Sequence, residues 1–368
     1  MTLATRISAA QAHVTVTSST AVITDWSMRY FGLWWNAVDA VAPHAGPVVA
    51  ADVEAVEVAT LAQQIGEGRH QECVYANEPM LYARGKDGVV AAVQPGERLA
   101  YRYEPGLLRI VGCDEVPVAL AAARLAREVL RSRLLADGWR ILHASAAVRD
   151  GRTVLALGEK GAGKSTVGLL LARAGWQLLA NDRVFVRPNE DGGVAVLPWP
   201  SAAAIGLGFL DAIGLYDDVR ARVLSGEQLH PTQHESVTRA LLDGRRLPIR
   251  SSSGKELKPQ FFPDQLVTWL GLTLATEGSA AKIVFPRIDP AAAPAVLSEG
   301  RALGEDDFFT GATEDRYPDV FGLAPTGEAS RVTRELLATR LAGLPRHNVV
   351  LGHDVKANAE FLAELATT

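Results

Sequence analysis

Between Leu157 and Val167 the chain reads Gly158-Glu159-Lys160-Gly161-Ala162-Gly163-Lys164-Ser165-Thr166. Closely spaced glycines let successive backbone N–H groups turn toward one anion, and a helix that starts directly behind them adds its positive dipole end. Gly158, Gly161, Ala162, Gly163 and Thr166 would line such a cradle. Lys164 would bridge a β- and a γ-phosphate, and the Ser165 hydroxyl would ligate Mg2+. The pattern is complete from Gly158 to Ser165, so the chemistry read from it is binding of ATP or GTP with Mg2+ for phosphoryl transfer. A plain Gly-rich strand-to-helix turn is the bland alternative. Glu159 and Lys160 fill variable positions and need no role.

The flanking residues supply the elements that such a loop requires. Thr153 to Leu157 is an apolar run that predicts a strand, and Thr166 to Ala174 predicts a helix closed by Gly175. Arg140 to Val148 predicts a partner strand joined through a turn at Asp150-Gly151, and Leu178–Ala180 and Val184–Val186 predict short strands on either side of Asn181-Asp182. Asp182 thus ends a strand only one helix after Lys164. It is the candidate Mg2+ ligand, directly or through water, or the acceptor of a proton, with a turn cap as the alternative.

This order resembles the catalytic domain of the HPr kinase/phosphorylase family, relatives of phosphoenolpyruvate carboxykinase. There a strand carrying His, a P-loop, a helix and an acidic pair follow one another compactly. The matching residues are His143-Ala144-Ser145-Ala146, the loop itself, Leu178 to Asp182, and Gly206-Leu207-Gly208-Phe209-Leu210-Asp211. The resemblance covers about Leu142 to Tyr216 and does not extend to the N-terminal region. It departs from the family pattern at Asn181, which replaces the first acid of the pair, and at Ala203 to Ile205, where a Glu and an Arg are missing. The resemblance implies an α/β, HPr-kinase-like P-loop domain with a mixed β-sheet and flanking helices. It implies an ATP-dependent kinase acting on a hydroxyl, with Lys164, Asp182 and His143 as catalytic candidates and Ser165 and Asp182 as metal ligands. Relatives include precursor-peptide kinases of lasso-peptide pathways, so the acceptor would be a Ser/Thr hydroxyl of a peptide or protein, or a small metabolite. A nucleotide-dependent binding or regulatory module without turnover is the alternative. For His143, a strand histidine with backbone partners is the alternative reading.

The chain before this domain reads mainly as strands from Val14 to Val111. Met80–Arg84 and Val89–Val93 flank Lys86-Asp87-Gly88, and Leu99–Tyr103 and Leu107–Val111 flank Glu104-Pro105-Gly106; both turns have hairpin chemistry. Val118 to Ala136, entered through Pro117 and ended by Asp137-Gly138, carries apolar residues at helical spacing. The expected organisation is a β-rich N-terminal domain over 1–115, a connecting helix over 116–138 and the nucleotide-binding domain over 139–368. Farther on, Ala280–Phe285 and Asn348–Leu351 predict strands, Arg331–Leu341 and Val355–Ala366 helices, and Leu247–Pro263 a mobile polar loop. Lys255 and Lys258 on that loop could reach an anionic substrate or be merely solvated. His230, His234 and Glu235 lack a third ligand at a zinc-type spacing, and Trp199 between two prolines reads as a packed bend.

The composition excludes several classes. Of 368 residues 48% are hydrophobic and 21% charged, which supports a substantial core. The net charge of −5, with no Lys/Arg block, offers no electrostatic footprint for nucleic acid or an anionic membrane. Two cysteines, Cys73 and Cys113, fit a reducing compartment. Met1 to Ala12 lacks a long apolar core behind a basic end, and Val116 to Leu135 is interrupted by Arg124, Arg127, Glu128, Arg131 and Arg133, so neither a signal peptide nor a membrane span is indicated. The expected address is cytoplasmic, and the partners are a nucleotide and a hydroxyl acceptor.

Overall fold

Tight turns set the strand pairing of the first half of the chain. The computed structural model describes residues 2–40, 46–309, 311, 317–324 and 329–368. Among them the protein is a mixed α/β structure with two large mixed β-sheets and about ten helices. The chain divides into two units, Met1–Trp139 with Thr310–Ser330, and Arg140–Phe309 with Arg331–Thr368.

The first unit runs β1 (Leu3–Ala9), β2 (Ala12–Ser18), α1 (Ala21–Phe31), β3 (Val38–Asp39), β4 (Val48–Val53), α2 (Ala55–Glu67) and β5 (Gln71–Tyr75). It continues through β6 (Glu78–Arg84), β7 (Val90–Gln94), β8 (Leu99–Glu104), β9 (Leu107–Gly112) and α3 (Glu115–Ala136). The sheet order is β3-β1-β2-β4-β9-β8-β7-β6-β5, with β4 parallel to both of its neighbours. Both expected hairpins form: Gly88 and Gly106 take the positive φ (82° and 89°) that these turns require.

Two helices correct the reading of Val14–Val111 as mainly strands. Helices α1 and α2 are rich in β-branched residues (Val22, Ile23, Thr24; Val56, Val58, Thr60), whose local preference is for strands. Tertiary burial overrides it in α2, where Val58, Leu61 and Ile65 pack on Val93, Ala100 and Val111 of the sheet. The 116–138 helix, expected as a connector, groups with this unit and packs on α1, β2, β4 and β9. Its charges are internal: Arg127 donates to the Tyr30 hydroxyl (2.5 Å), Arg131 pairs with Glu128 (2.9 Å), and the Arg124 guanidinium lies between the rings of Tyr75 and Tyr317 (4.6 and 4.5 Å). Buried charges held in this way are tolerated because each has a partner. Tyr317 belongs to a late segment that returns to this sheet, where Phe321 meets Tyr75 and Tyr101 and the Val320 carbonyl accepts from Arg84. No described helix is long and apolar enough to cross a membrane.

The second unit runs β10 (Arg140–Leu142), β11 (Ala144–Arg149), β12 (Arg152–Leu157), α4 (Lys164–Arg173), β13 (Gln177–Ala180), β14 (Val184–Pro188) and β15 (Val194–Pro198). Then come β16 (Ala203–Ala204), α5 (Leu207–Ala212), α6 (Tyr216–Leu224), α7 (Glu235–Leu242), β17 (Ile249–Arg250), β18 (Glu256–Leu257), β19 (Gln260–Phe261) and α8 (Pro263–Thr268). The unit closes with β20 (Gly278–Ile288), β21 (Ala295–Leu297), α9 (Ala329–Ala342), β22 (Arg346–Leu351) and α10 (Val355–Thr367). Its main sheet is ordered β10-β14-β15-β20-β12-β11-β13, and β22 joins the C-terminal half of β20 in parallel. Helix α4 covers one face: Val167, Leu170 and Leu171 pack on Ala147, Val154 and Ala156 of the sheet and with Leu362 of α10. Burying one such leucine stabilises by about 1.5–3 kcal/mol.

The expected Arg140–Val148 strand is split at His143, because β10 pairs with β14 while β11 pairs with β12 and β13. The expected 247–263 loop contains a hairpin, β17–β18, turned by Gly254 (φ 79°), and β19 pairs with β16.

Candidate functional site

Strand β12 lies between antiparallel β11 and parallel β20, with Leu155 opposite Ile283 and Ala156 opposite Val284. Parallel pairing brings the chain ends beyond Leu157 and Phe285 to one end of the sheet, where open α/β sheets place their ligands. Beyond Leu157 the backbone takes positive φ at Gly158 (151°), Gly161 (88°) and Gly163 (105°), and α4 begins at Lys164. A Cβ at Gly163 would stand 2.7 Å from Ile288 Cδ1. Gly163→Ala is therefore expected to cost about 1–3 kcal/mol through left-handed strain and this contact, read as a lower urea midpoint.

Lys164 folds back on the loop, its Nζ donating to the carbonyls of Gly158 (2.6 Å) and Glu159 (3.1 Å). The Ser165 hydroxyl donates to the Asn181 carbonyl (3.2 Å), which joins the start of α4 to the end of β13. The side chain of Asp182 is 58% exposed and stands 3.7 Å from Arg183 Nε. Asn181 is buried, and its Oδ1 has no hydrogen-bond partner among the described residues. Burial holds the Lys164 ammonium below the usual lysine range; Asp182 and Asp307 pull it back up, and Arg301 pushes it down.

The donors here fit a hard cation. A hydroxyl, an exposed carboxylate and an unpaired amide oxygen are oxygen ligands of the kind Mg2+ accepts, and Mg2+ is held by one or two carboxylates together with substrate phosphates. Among the described residues no group of three or more His, Cys, Asp or Glu could hold a metal by itself.

His143 occupies the break between β10 and β11. Its backbone N–H donates to the Asp307 carbonyl (2.8 Å), and its ring meets Phe309 edge-on at 5.6 Å between centroids. The segment around Asp307 runs beside β10, with the Phe309 N–H donating to the Ile141 carbonyl and Leu142 bridging to Phe308. Two residues that the sequence reading did not select join this place. Buried Asp307 accepts from Arg301 Nη2 (2.6 Å) and from the Gly304 N–H (2.9 Å), and Arg301 Nη1 lies 4.0 Å from where a Cβ on Gly158 would be. Their only signal in the sequence was an Arg and an acidic run, Glu305-Asp306-Asp307, within one loop.

Other singled-out residues have local roles. Lys258 pairs with Glu256 (3.3 Å) and Lys255 is exposed on the β17–β18 hairpin. His230 bonds Thr232 through Nδ1 (2.7 Å) against Phe262, and His234 caps α7 by accepting from the Ser236 N–H. Asp211 is bridged to Asp217 by Arg246. Trp199 is buried on Phe185, and Cys73 and Cys113 are free thiols. An open cavity of about 700 Å³, lined by Arg149, Asp150, Arg173, Trp176 and Gln177, lies at the opposite ends of β12 and α4 from the glycine loop.

Together these residues form a strand, glycine loop and helix N-terminus with a lysine, a serine and an acid at one end of a sheet. No protein-family model matches the chain, and no curated protein sequence matches it.

Proposed function

We propose that the protein is an ATP-dependent kinase of the HPr-kinase-like type, transferring the γ-phosphoryl group to a hydroxyl of a peptide, a protein or a small metabolite. The observation that carries this reading is the Ser165–Asn181 hydrogen bond: it sets the P-loop serine against the residue next to Asp182, as a shared metal site requires. The glycine loop and the start of α4 hold the phosphates, and Lys164 neutralises charge on the β- and γ-oxygens. Ser165 and Asp182 would hold Mg2+, which when bound neutralises charge on the phosphates. The acceptor oxygen forms its bond to the γ-phosphorus as the bond to the ADP oxygen breaks. In a loose transition state the acceptor's proton leaves late, to the Asp182 carboxylate or to water, with less demand for a strong base, so Asn181 does not by itself prevent transfer.

The test is incubation with γ-labelled ATP and pools of candidate peptides and metabolites. Label in an acceptor supports the kinase; free phosphate alone across broad pools sinks it. Asn181 favours a second reading, a nucleotide-dependent binding or regulatory module without turnover, because an amide cannot take a proton at neutral pH.

A pH dependence follows from Lys164. Phosphate binds its protonated form, and that form is lost at lower pH than for an ordinary lysine because burial depresses its pKa. Nucleotide affinity is thus expected to fall as pH rises, and to do so at lower pH than an ordinary lysine would give. Calorimetric titration across the alkaline range checks it, and in Lys164→Arg the fall should disappear because a guanidinium stays charged.

A further inference from the structure

Arg301 stands at the same end of the glycine loop as the carbonyls that Lys164 reaches. In a phosphate cradle of this type the helix start takes the inner phosphates and the lysine extends to the terminal one. Lys164 Nζ bonds Gly158 and Glu159, so that outer end is where a terminal phosphate would sit. Arg301 Nη1 is 4.0 Å from the Cβ position of Gly158 and makes no hydrogen bond among the described residues. The rest of the guanidinium is held. Nη2 bonds the buried Asp307 carboxylate at 2.6 Å, and the group lies over the Phe285 ring at 5.1 Å. The Arg301 backbone is held as well, its carbonyl accepting from Asn348 Nδ2 at 3.1 Å. A planar fork anchored along one edge presents its other nitrogen in a fixed direction, so little reorganisation accompanies charge development.

We propose that Arg301 is a second phosphate-binding cation of this site, contacting the terminal phosphoryl group of a bound nucleoside triphosphate, and that Asp307 is its positioning residue. The proposal rests on the kinase reading for its effect on turnover. Its effect on nucleotide discrimination needs only the phosphate cradle.

The experiment compares wild type, Lys164→Ala, Arg301→Ala, Arg301→Lys and Asp307→Asn in the full chain. Dissociation constants for ATP–Mg2+ and ADP–Mg2+, kcat and KM for transfer of labelled phosphate, and ligand-free melting temperatures are measured. Arg301→Ala is expected to weaken ATP about tenfold while changing ADP by less than about twofold, the loss of one charge-assisted contact. It should also lower kcat by on the order of 10³. Arg301→Lys keeps a charge for Asp307 and should show the same directions with smaller size, which carries the test if the alanine variant does not fold. Asp307→Asn should lower the ATP-over-ADP preference while Lys164 and the loop are intact. An unchanged ATP-to-ADP ratio and kcat in Arg301→Lys and Asp307→Asn, with only melting temperatures moved, would make the pair structural and overturn the proposal. Wild type that binds neither nucleotide overturns the cradle and this proposal together. Wild type that binds both without transfer overturns only the kinase, and the ATP-to-ADP ratio then decides Arg301.

Discussion

Lys164→Ala is expected to abolish the rise in melting temperature that ATP–Mg2+ produces in the wild type, and to lower phosphoryl transfer below detection. At a ligand concentration of about 100 Kd, binding stabilises by about 2.7 kcal/mol, which for a unit of this size is a shift of roughly 5–10 °C. The lysine supplies the cation nearest the loop carbonyls of Gly158 and Glu159, and nothing at the alanine position replaces it. The variant should fold. A lysine whose folded pKa lies below its unfolded value is protonated more readily in the unfolded chain, so at neutral pH its charge opposes folding; that penalty disappears only above the unfolded lysine value. Because the variant also loses the Nζ bonds to the carbonyls of Gly158 and Glu159, which offset that penalty, the ligand-free melting temperature is expected to change little. Differential scanning fluorimetry with and without ATP–Mg2+ reads both quantities. A wild-type-sized shift in the variant would show that phosphates bind elsewhere.

Asp182→Asn should separate binding from transfer. The substitution keeps the shape of an exposed side chain, so stability is expected to change by less than about 0.5 kcal/mol. Most of the nucleotide affinity comes from the loop and Lys164 and should be retained within a few-fold. Transfer should fall by on the order of 10²–10⁴, because an amide holds a divalent cation more weakly than a carboxylate and supplies no negative charge to the site. Calorimetry gives the first quantity and labelled-phosphate transfer the second. Full activity in the variant would move the metal acid away from Asp182. Asp307, the other carboxylate that acts on Lys164, would then be the next residue to replace.

Local chemistry made much of the second unit legible. The turn at Asp150-Gly151, with φ of 52° and 75°, the Gly175 stop of α4 and the strand on each side of Asn181-Asp182 all depend on residues close together in sequence. Where a distant neighbour decides the outcome, the same reasoning failed. Helices α1 and α2 carry β-branched residues that read as strands, and His143 breaks a run that looked continuous because its two halves find different partners. The polar 247–263 stretch closes into a hairpin through the pairing of Ile249 with Leu257. Arg124, Arg127, Glu128 and Arg131 interrupt an apolar run in sequence and find an ion pair, a tyrosine hydroxyl or aromatic rings as partners inside the fold.

By itself the sequence determined the glycine loop, the lysine and serine behind it and the nearby acid, because these lie within one strand–helix–strand unit whose geometry follows from spacing. Only the tertiary structure decided what faces that loop. Parallel pairing of β12 with β20 carries the later chain to the same sheet end, the Asn348 bond holds the backbone of Arg301, and Asp307 turns the guanidinium toward Gly158. Those contacts join residues far apart in the chain, and such approach is set by packing rather than by any local preference.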